Sequence, residues 1–350
     1  MPGSGTDEVL RGFSRWLDER RPGTTHAIVA HTVPSVGYSG ETILVEVARS
    51  GIDTSSEHLA LKLEPAGPAI FPDYDFACQA HVQNVVAAHG IPAPAPAVAE
   101  NDRQWLGRPF LVMPAVSGYI VSEMPVGDAW LTGGSAELAR TAQCSYMDTL
   151  ADITRLDWRS EGLAEVVPVR DNGAELAHWR SYLDWYGVGE ILVPALVEAL
   201  DWCEANRPTA EPDPSLLWGD VRLGNLIFDD DRSPVAVIDW EMATIGSAEH
   251  DLAWTLMHQT TQDQLFRKTV PGFLGRDELV ARYEQRIARP VQDLEWYEVF
   301  AMTRSCALFA RISHLNEAAG LPVVLPIADN AVLDLLHRRI DDFASVSRSH

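Results

Sequence analysis

The sequence is poor in cysteine, and the few cysteines it has are far apart. Its 350 residues include four, Cys78, Cys144, Cys203 and Cys306. Because no two lie close together, the sequence contains neither a CxxC redox pair nor a zinc knuckle. Dispersed single thiols are typical of buried core residues in a reducing cytosol.

Long apolar runs are also missing. None approaches the roughly 20 residues that a membrane-spanning helix needs. The first residues, MPGSGTDEVLRGF, lack the charged and then apolar pattern of a secretory signal. We therefore predict a cytoplasmic protein that does not cross a membrane.

Positive charge is scarce. The chain has 27 Lys and Arg against 50 Asp and Glu, for a formal net charge of -23. Such a field repels phosphate backbones and anionic lipid, so we expect neither a nucleic acid nor a membrane surface as partner. It favours a cationic substrate or Mg²⁺. The hydrophobic share of 46% is that of an ordinary globular protein long enough for two domains or lobes.

The pattern divides the chain into a sheet-rich front of 1–116 and a helical back of 117–350. In the front, a helix is predicted at 7–20 and another at 75–89. The proline-rich 91–98 must be extended. The β-rich runs of the front are Ala27–Val33, Thr42–Ala48, His58–Leu63 and Pro109–Val116. Helical spacing in the back covers Ser135–Leu156, Asn172–Trp185, Pro194–Asn206, His250–His258, Arg276–Arg286 and Leu294–His314.

The candidate catalytic residues lie in one short β segment that interrupts the helical back. The stretch LLWGDVRLGNLIF ends in a short β run, which is followed by the turn 229–234 and a second β run that ends at Asp239. Asn225 and Asp239 are each seven residues from position 232. A hairpin therefore brings their side chains to one open end, next to the loop that carries Asp220.

An amide and a carboxylate at one hairpin end suit Mg²⁺, which keeps several waters and also binds substrate phosphates. Asp220 would then accept the proton of an incoming hydroxyl. This is the D-x-x-x-x-N pattern of phosphoryl transfer, followed by a metal-binding Asp. Arg222 either faces the transferring phosphoryl oxygens or forms a surface salt bridge.

A nucleotide site is predicted in the front. Gly37, Ser39 and Gly40 lie in a Gly-rich turn, where backbone amides can approach phosphate oxygens. Lys62 stands alone inside an apolar strand, either as a phosphate ligand or as an edge lysine pointing to water.

The run after the last front strand joins front to back. There Met113, the Pro114 carbonyl and the Val116 amide can meet the edge of an adenine.

The chain resembles the aminoglycoside phosphotransferase family in the order of its features, which are the Gly-rich turn, Lys62, the linker, WGDVRLGN and IDWE. The likeness spans about 30 to 345. It extends to an actinobacterial branch and to the kinase domain attached to some acyl-CoA dehydrogenases. It implies an α+β, protein-kinase-like two-lobe fold, with a small antiparallel-sheet lobe and a larger, mostly helical lobe, and with ATP bound between them. By the same resemblance Asp220 is the catalytic base, Asn225 and Asp239 hold Mg²⁺, Lys62 contacts the nucleotide phosphates and Asp251 braces the catalytic loop.

Three positions depart from the family pattern. Trp218 replaces a frequent His, which predicts apolar bracing of the loop. Gln79 stands where a Glu often pairs with the lysine. Gly40 replaces a frequent Asn in the phosphate cover.

The acceptor is less defined than the transfer chemistry. The aromatic segment 178–186 and the acids of 293–298 fit either a polyamine sugar or a helix core. Arg180, Arg304 and Arg311 could instead meet an anionic acceptor.

No GxSxG, HExxH or GxxxxGK[ST] motif is present. We therefore predict an ATP- and Mg²⁺-dependent phosphotransferase that acts on a small-molecule hydroxyl. A kinase of a hydroxy acid or hydroxyacyl-CoA and a nucleotide-binding pseudokinase regulator are the alternatives. The sequence does not predict the oligomeric state.

Overall fold

The computed structural model describes residues 3–34, 40–51, 55–187, 192–323 and 331–347. The chain forms two compact units. Unit 1 comprises 1–88 and 93–117, and unit 2 comprises 89–92 and 118–350. Among the described residues, no helix is long and apolar enough to cross a membrane.

Unit 1 is a five-stranded antiparallel sheet with two helices. The strands are ordered β1-β2-β3-β5-β4. The elements are α1 (Gly3–Arg20), β1 (Thr24–Thr32), β2 (Glu41–Gly51), β3 (Ser55–Leu63), α2 (Phe76–Ala88), β4 (Val98–Glu100) and β5 (Phe110–Pro114).

The two faces of this sheet are covered by different helices. On one face, Phe13 and Trp16 of α1 pack against Phe110 with ring centroids 6.2 and 5.2 Å from it. On the other face, Phe76 and Ala80 of α2 pack against Leu111. Because successive strand residues point to opposite faces, β3 presents alternate residues to each helix.

Unit 2 is mostly helical. Its helices are α3 (Ala129–Thr132), α4 (Ala136–Thr154), α5 (Asn172–Tyr186), α6 (Leu192–Ala205), α7 (Glu249–Phe266), α8 (Arg276–Ile287), α9 (Leu294–Ala318) and α10 (Ala331–Ser347). Its short strands are β6 (Tyr119–Ile120), β7 (Ser215–Leu217), β8 (Leu226–Phe228), β9 (Pro234–Val237) and β10 (Thr244–Gly246).

The short strands of unit 2 hold one loop at both ends. β7 pairs with β10 before the loop, and β8 pairs with β6 and β9 after it. The predicted hairpin is therefore present as β8–β9. The loop between β7 and β8, residues 218–225, is called the catalytic loop below.

The predicted fold class, a small antiparallel sheet and a larger helical part, is confirmed, and the boundary at 116–117 stays a prediction. All six predicted helices of the back are present, and α7 continues eight residues beyond its predicted end to Phe266. The sequence interpretation missed α10, whose Val332 and Leu336 are buried. It also missed β10, which has only three residues and is defined by its pairing with β7.

Candidate active site

A buried carboxylate of α7 holds the catalytic loop by hydrogen bonds. Both oxygens of Asp251, on α7, accept backbone N–H groups, from Trp218 at 2.7 Å and from Gly219 at 3.0 Å. Asp251 is 1% exposed, and this burial raises its pKa to about 7. Tyr146 of α4 adds a second brace, because its hydroxyl donates to the carbonyl of Val221 at 2.8 Å.

Glycine is required at position 219. Gly219 has a φ of +91°, in the left-handed region that side chains disfavour. A Cβ atom there would overlap the carbonyl oxygen of Met242. The residue before Asp220 therefore turns the chain in a way that no other residue type can reproduce without moving the loop.

Trp218 corrects a prediction made from the sequence. Apolar bracing was expected there, but the buried indole Nε1–H donates to the carbonyls of Ile238 and Asp239 at 3.0 and 3.2 Å. The bracing is polar because the N–H group of the indole donates hydrogen bonds, although the rest of the ring is apolar. Trp218 thus ties the catalytic loop to the segment that carries Asp239.

The carboxylate of Asp220 is held by three side-chain donors. Its Oδ2 accepts from Arg222 Nε at 2.9 Å and from Asn225 Nδ2 at 2.7 Å. Its Oδ1 accepts from Trp254 Nε1 at 3.0 Å. Burial alone would raise the pKa of Asp220, but the Arg222 charge and the donated hydrogen bonds hold that pKa below its usual value.

Arg222 lies between two carboxylates. Its Nε donates to Asp220 and its Nη1 donates to Glu123, in the segment after β6. The guanidinium therefore stabilises the orientation of Asp220. A direct contact of Arg222 with a phosphoryl group stays a prediction.

Asn225 and Asp239 meet at the open end of the hairpin. The amide of Ile238 donates to the carbonyl of Asn225 at 3.0 Å, which sets Asp239 next to Asn225. The Asn225 Nδ2 faces the carboxylate and carbonyl oxygens of Asp220, so its amide oxygen is the atom available to a ligand. Asp239 has a φ of +65°, a conformation that costs free energy and is concentrated at functional sites.

A pocket opens beside Arg222. It lies between the segment after β6, α4, α7 and the catalytic loop, and its lining includes Glu123, His258, Gln262 and Asp263. Burial raises the pKa of Asp263. The pocket thus combines an apolar lining with two acids, Glu123 and Asp263, and one arginine, Arg222.

In unit 1, Lys62 lies on the α2 face of the sheet. It pairs in register with Leu111, which packs against α2. A Cβ atom on Gly40 would lie 3.4 Å from Cε of Lys62, so this end of the Gly-rich turn lies against the lysine. Gly37 and Ser39 are outside the described residues. The whole chain has two lysines, Lys62 and Lys268.

The helix facing Lys62 offers no acid. α2 contains neither Asp nor Glu, and Gln79 within it is 4% exposed. An ion pair between the lysine and a carboxylate of this helix is therefore excluded.

The predicted linker residues lie at the end of β5. Met113 and Pro114 pair with Ala60 and Leu59 of β3, and Ala115 N–H donates to His58 at 2.9 Å. Since backbone groups alternate along a strand, the Pro114 carbonyl and the Val116 amide face away from β3. β4 pairs only as far as Val112 on that side.

Several acceptor candidates are core residues. Trp179 and Tyr182 of the aromatic segment are each 3% exposed. Arg304 is 4% exposed and stacks on Trp254 at 4.7 Å, which excludes direct contact with an acceptor at the surface. Arg180 pairs with Asp201 at 2.7 Å.

Other acceptor candidates are also occupied within the protein. The Arg311 guanidinium lies 4.9 Å from the ring of Trp185. Trp296 is 1% exposed, and Glu298 accepts from Arg276 Nε at 2.8 Å.

The sequence interpretation missed two residues of α7. Trp254 donates to Asp220, and His258, one turn later, lies 5.3 Å from its ring. Trp254 follows Asp251 by three residues and so shares its side of the helix. That spacing was the available signal. His250, by contrast, is a satisfied core residue, with Nε2 2.9 Å from Asn172 Oδ1.

The sheet unit, the helical unit and the loop that carries Asp220 and Asn225 define a kinase-type phosphotransferase with a protein-kinase-like two-lobe fold. A model of the phosphotransferase enzyme family (APH) matches residues 32–300. The chain belongs to that family.

Relatives with curated descriptions are longer proteins. Acyl-CoA dehydrogenase family member 11 of Gallus gallus is 30% identical over 55% of this chain and 24% of its own length. Probable acyl-CoA dehydrogenase IBR3 of Arabidopsis thaliana is 24% identical over 79% of this chain and 35% of its own length. The chain thus spans about a quarter to a third of these relatives.

Solved structures share the fold over nearly the whole chain. One is a protein of Ralstonia eutropha called a "putative aminoglycoside phosphotransferase", with a TM-score of 0.68 and 21% identity over 95% of this chain and 94% of that one. Another is APH(2")-IIia in complex with GDP and kanamycin, with a TM-score of 0.57 and 13% identity over 90% and 94%.

Proposed function

We propose that this protein transfers the γ-phosphoryl group of ATP to a hydroxyl of a small molecule, with Mg²⁺ and with Asp220 as the catalytic base. The observation that carries the proposal is the Asp220 carboxylate. It lies on a loop with the family's D-x-x-x-x-N pattern and is held ionised by two donors of that loop and by Trp254 of α7.

Asp220 acts on the acceptor. Its carboxylate takes a hydrogen bond from the attacking hydroxyl, orients the oxygen and receives the proton as the new P–O bond forms and the bond from the γ-phosphorus to the bridging oxygen of ADP breaks, which releases ADP. Such a positioned base contributes roughly 10²- to 10⁴-fold to the rate. Asn225 and Arg222 keep the carboxylate in place during the reaction.

The hairpin end fits Mg²⁺. The Asn225 amide oxygen and the Asp239 carboxylate are the oxygen donors that this ion prefers, and two protein ligands suffice when substrate phosphates and water complete its shell. No cluster of three His, Cys, Asp or Glu suited to a metal occurs among the described residues, which agrees with a shared rather than a protein-only site. When bound, the ion would neutralise phosphate charge.

The nucleotide side belongs to unit 1. Lys62 is proposed to contact phosphate oxygens beneath the Gly-rich turn of Gly37, Ser39 and Gly40. The Pro114 carbonyl and Val116 amide, with Met113 beside them, are proposed to contact the base. Their outward orientation at the open edge of β5 supports this role.

Two acceptor classes remain. The pocket beside Arg222 carries Glu123 and Asp263, which favours a neutral or cationic hydroxyl compound. The relatives that carry this domain are acyl-CoA dehydrogenase family members, which favours a hydroxy acid or hydroxyacyl-CoA. We rank the first class higher, because the buried Arg304 cannot serve an anion at the surface.

A screen of nucleotide consumption separates these classes. The protein would be incubated with Mg²⁺ and ATP or GTP and, in turn, with aminoglycosides, macrolides, sugars, choline-like amines, hydroxy acids and hydroxyacyl-CoAs. Acceptor-dependent ADP or GDP release, with a phosphorylated product seen by mass spectrometry, is expected for one class. Nucleotide binding without turnover on any acceptor would favour the pseudokinase regulator.

The base is tested by Asp220→Asn. Because Asn cannot take the proton, kcat should fall by about 10²- to 10⁴-fold, while ATP affinity measured by calorimetry stays within about twofold. The matched control is Asp231→Asn, at an exposed acid in the turn after β8, which should leave kcat unchanged. Full turnover by Asp220→Asn would reject the assignment.

A further inference from the structure

Trp254 touches the candidate base directly but belongs to no motif. It lies on α7, is 2% exposed, and donates its indole Nε1–H to Asp220 Oδ1 at 3.0 Å. The two residues are 34 positions apart in sequence. A buried indole must place its N–H on an acceptor, and here the acceptor is the proposed catalytic carboxylate.

The indole ring cannot turn away from that carboxylate. The Arg304 guanidinium carbon lies 4.7 Å from its centroid. His258 packs against the ring edge-on, with centroids 5.3 Å apart and planes at 73°. Arg304 is itself 4% exposed, so it cannot yield without opening the core.

The two oxygens of Asp220 are not equivalent. Oδ2 receives two donors, Arg222 Nε and Asn225 Nδ2, and a carboxylate oxygen has about two acceptor positions. Oδ1 receives only Trp254 from the described residues. An incoming hydroxyl therefore finds its acceptor position on Oδ1, beside the indole.

We propose that Trp254 is a positioning residue for the transfer reaction, fixing Oδ1 of Asp220 so that this oxygen binds the acceptor hydroxyl. The inference rests on the proposed function. Arg222 and Asn225 alone pin one oxygen, about which the carboxylate can swing. A third donor on the other oxygen removes that freedom, and small misplacements at reacting atoms are costly.

The protein supplies its own control for this contact. Trp179 of α5 donates its indole N–H to Glu175 Oε1, also at 3.0 Å. Trp179 is 3% exposed and also lies near Arg304, 5.5 Å from the guanidinium carbon. Glu175 takes no part in the proposed chemistry. Replacing either tryptophan with Phe removes the same bond in the same kind of surroundings.

The kinetic test compares Trp254→Phe with Trp179→Phe on the acceptor found in the screen. Loss of a hydrogen bond to a charged group corresponds to about 10- to 100-fold. That reduction is expected in kcat for Trp254→Phe, with KM for ATP within about twofold. Trp179→Phe should keep kcat within about twofold, although both variants lower Tm. Equal kcat values for the two variants would overturn the proposal.

A second measurement needs no turnover and no tryptophan variant. In ¹H–¹⁵N spectra of the whole protein, Asp220→Ala should shift the assigned Trp254 indole N–H and speed its hydrogen exchange at least tenfold. The Trp179 indole should stay unchanged. An unmoved Trp254 signal would show that the contact is absent. If the wild-type protein transfers no phosphate, the proposed function fails on the screen, while this measurement still decides the contact.

Discussion

Two regions of the helical unit contain the same contact, a buried indole donating to a carboxylate at 3.0 Å. In one region Trp254 binds Asp220, and in the other Trp179 binds Glu175. The side chains of Asp220 and Glu175 are 14% and 7% exposed. What differs is what surrounds each carboxylate.

Glu175 is enclosed by positive charge. The Arg304 and Arg170 guanidiniums lie 3.7 and 3.2 Å from its oxygens. Burial alone would raise its pKa, but these two charges lower it to about 2. Asp220 instead meets one arginine, which is partly exposed beside the pocket, and one amide. Enclosure by arginines makes Glu175 part of the core, whereas Asp220 keeps an acceptor position on Oδ1 beside Trp254.

The largest expected effect is a loss of activity when the loop that carries Asp220 is disturbed. Gly219→Ala places a Cβ atom against the Met242 carbonyl and costs roughly 1–2 kcal/mol in backbone strain besides. Because Asp220 follows directly, we expect kcat to fall more than about 100-fold in a steady-state assay.

The control for that change is Gly162→Ala. Gly162 also has a positive φ, +65°, but open space around its Cβ position. It should show the strain as a lower Tm with normal kcat. Equal kcat for the two alanine variants would mean that the loop tolerates the clash.

The next effect concerns Glu175. Glu175→Gln keeps an oxygen for Trp179 but removes the charge opposite buried Arg304, and breaking a buried pair costs about 3–5 kcal/mol. The free energy of unfolding in urea should fall by that amount, with little change in KM for ATP. Glu165→Gln, at an exposed position, should leave the unfolding curve unchanged. A Glu175→Gln variant as stable as the parent would show that the Glu175 charge does not stabilise the core.

The smallest effect is a pH dependence of the same cluster. Burial, together with the Arg304 charge, lowers the pKa of His250 to about 3, and Glu175 opposes this shift. The unfolded state binds a proton near pH 6.5 while the folded state does not. Stability should therefore fall as pH drops from about 6.5 towards 3, by up to about 1.4 kcal/mol per pH unit for this group.

Urea unfolding at pH 7.5, 6.0 and 5.0 measures that slope. In His250→Gln, the pH dependence of the free energy of unfolding should fall by the contribution of about one proton, because glutamine does not ionise. An identical slope in both proteins would show that His250 is charged in the fold.

Local patterns predicted the parts of the site that one hairpin brings together. Strand pairing sets Asn225 opposite Ile238, so Asp239, the next residue, lies at the same end of the hairpin. The division into a sheet-rich and a helical part followed from the change of period along the chain.

Contacts across long sequence separations could not be predicted in this way. Arg222 meets Glu123, 99 residues away, and Trp218 meets the Asp239 carbonyl, 21 residues away. Nothing in the spacing of an indole shows which carbonyl it faces. The expectation of apolar bracing at Trp218 was wrong because it considered the apolar ring and not the N–H group that donates hydrogen bonds.

The scarcity of lysine gives this protein an unusual experimental handle. Lys62 lies within the sheet, whereas Lys268, the second lysine, is on an exposed stretch after α7. A Lys268→Arg chain would hold one side-chain ammonium in 350 residues. Lysine carrying an isotope label in its side chain would then report a single lysine resonance from the sheet face, readable without sequential assignment and sensitive to any anion that arrives there.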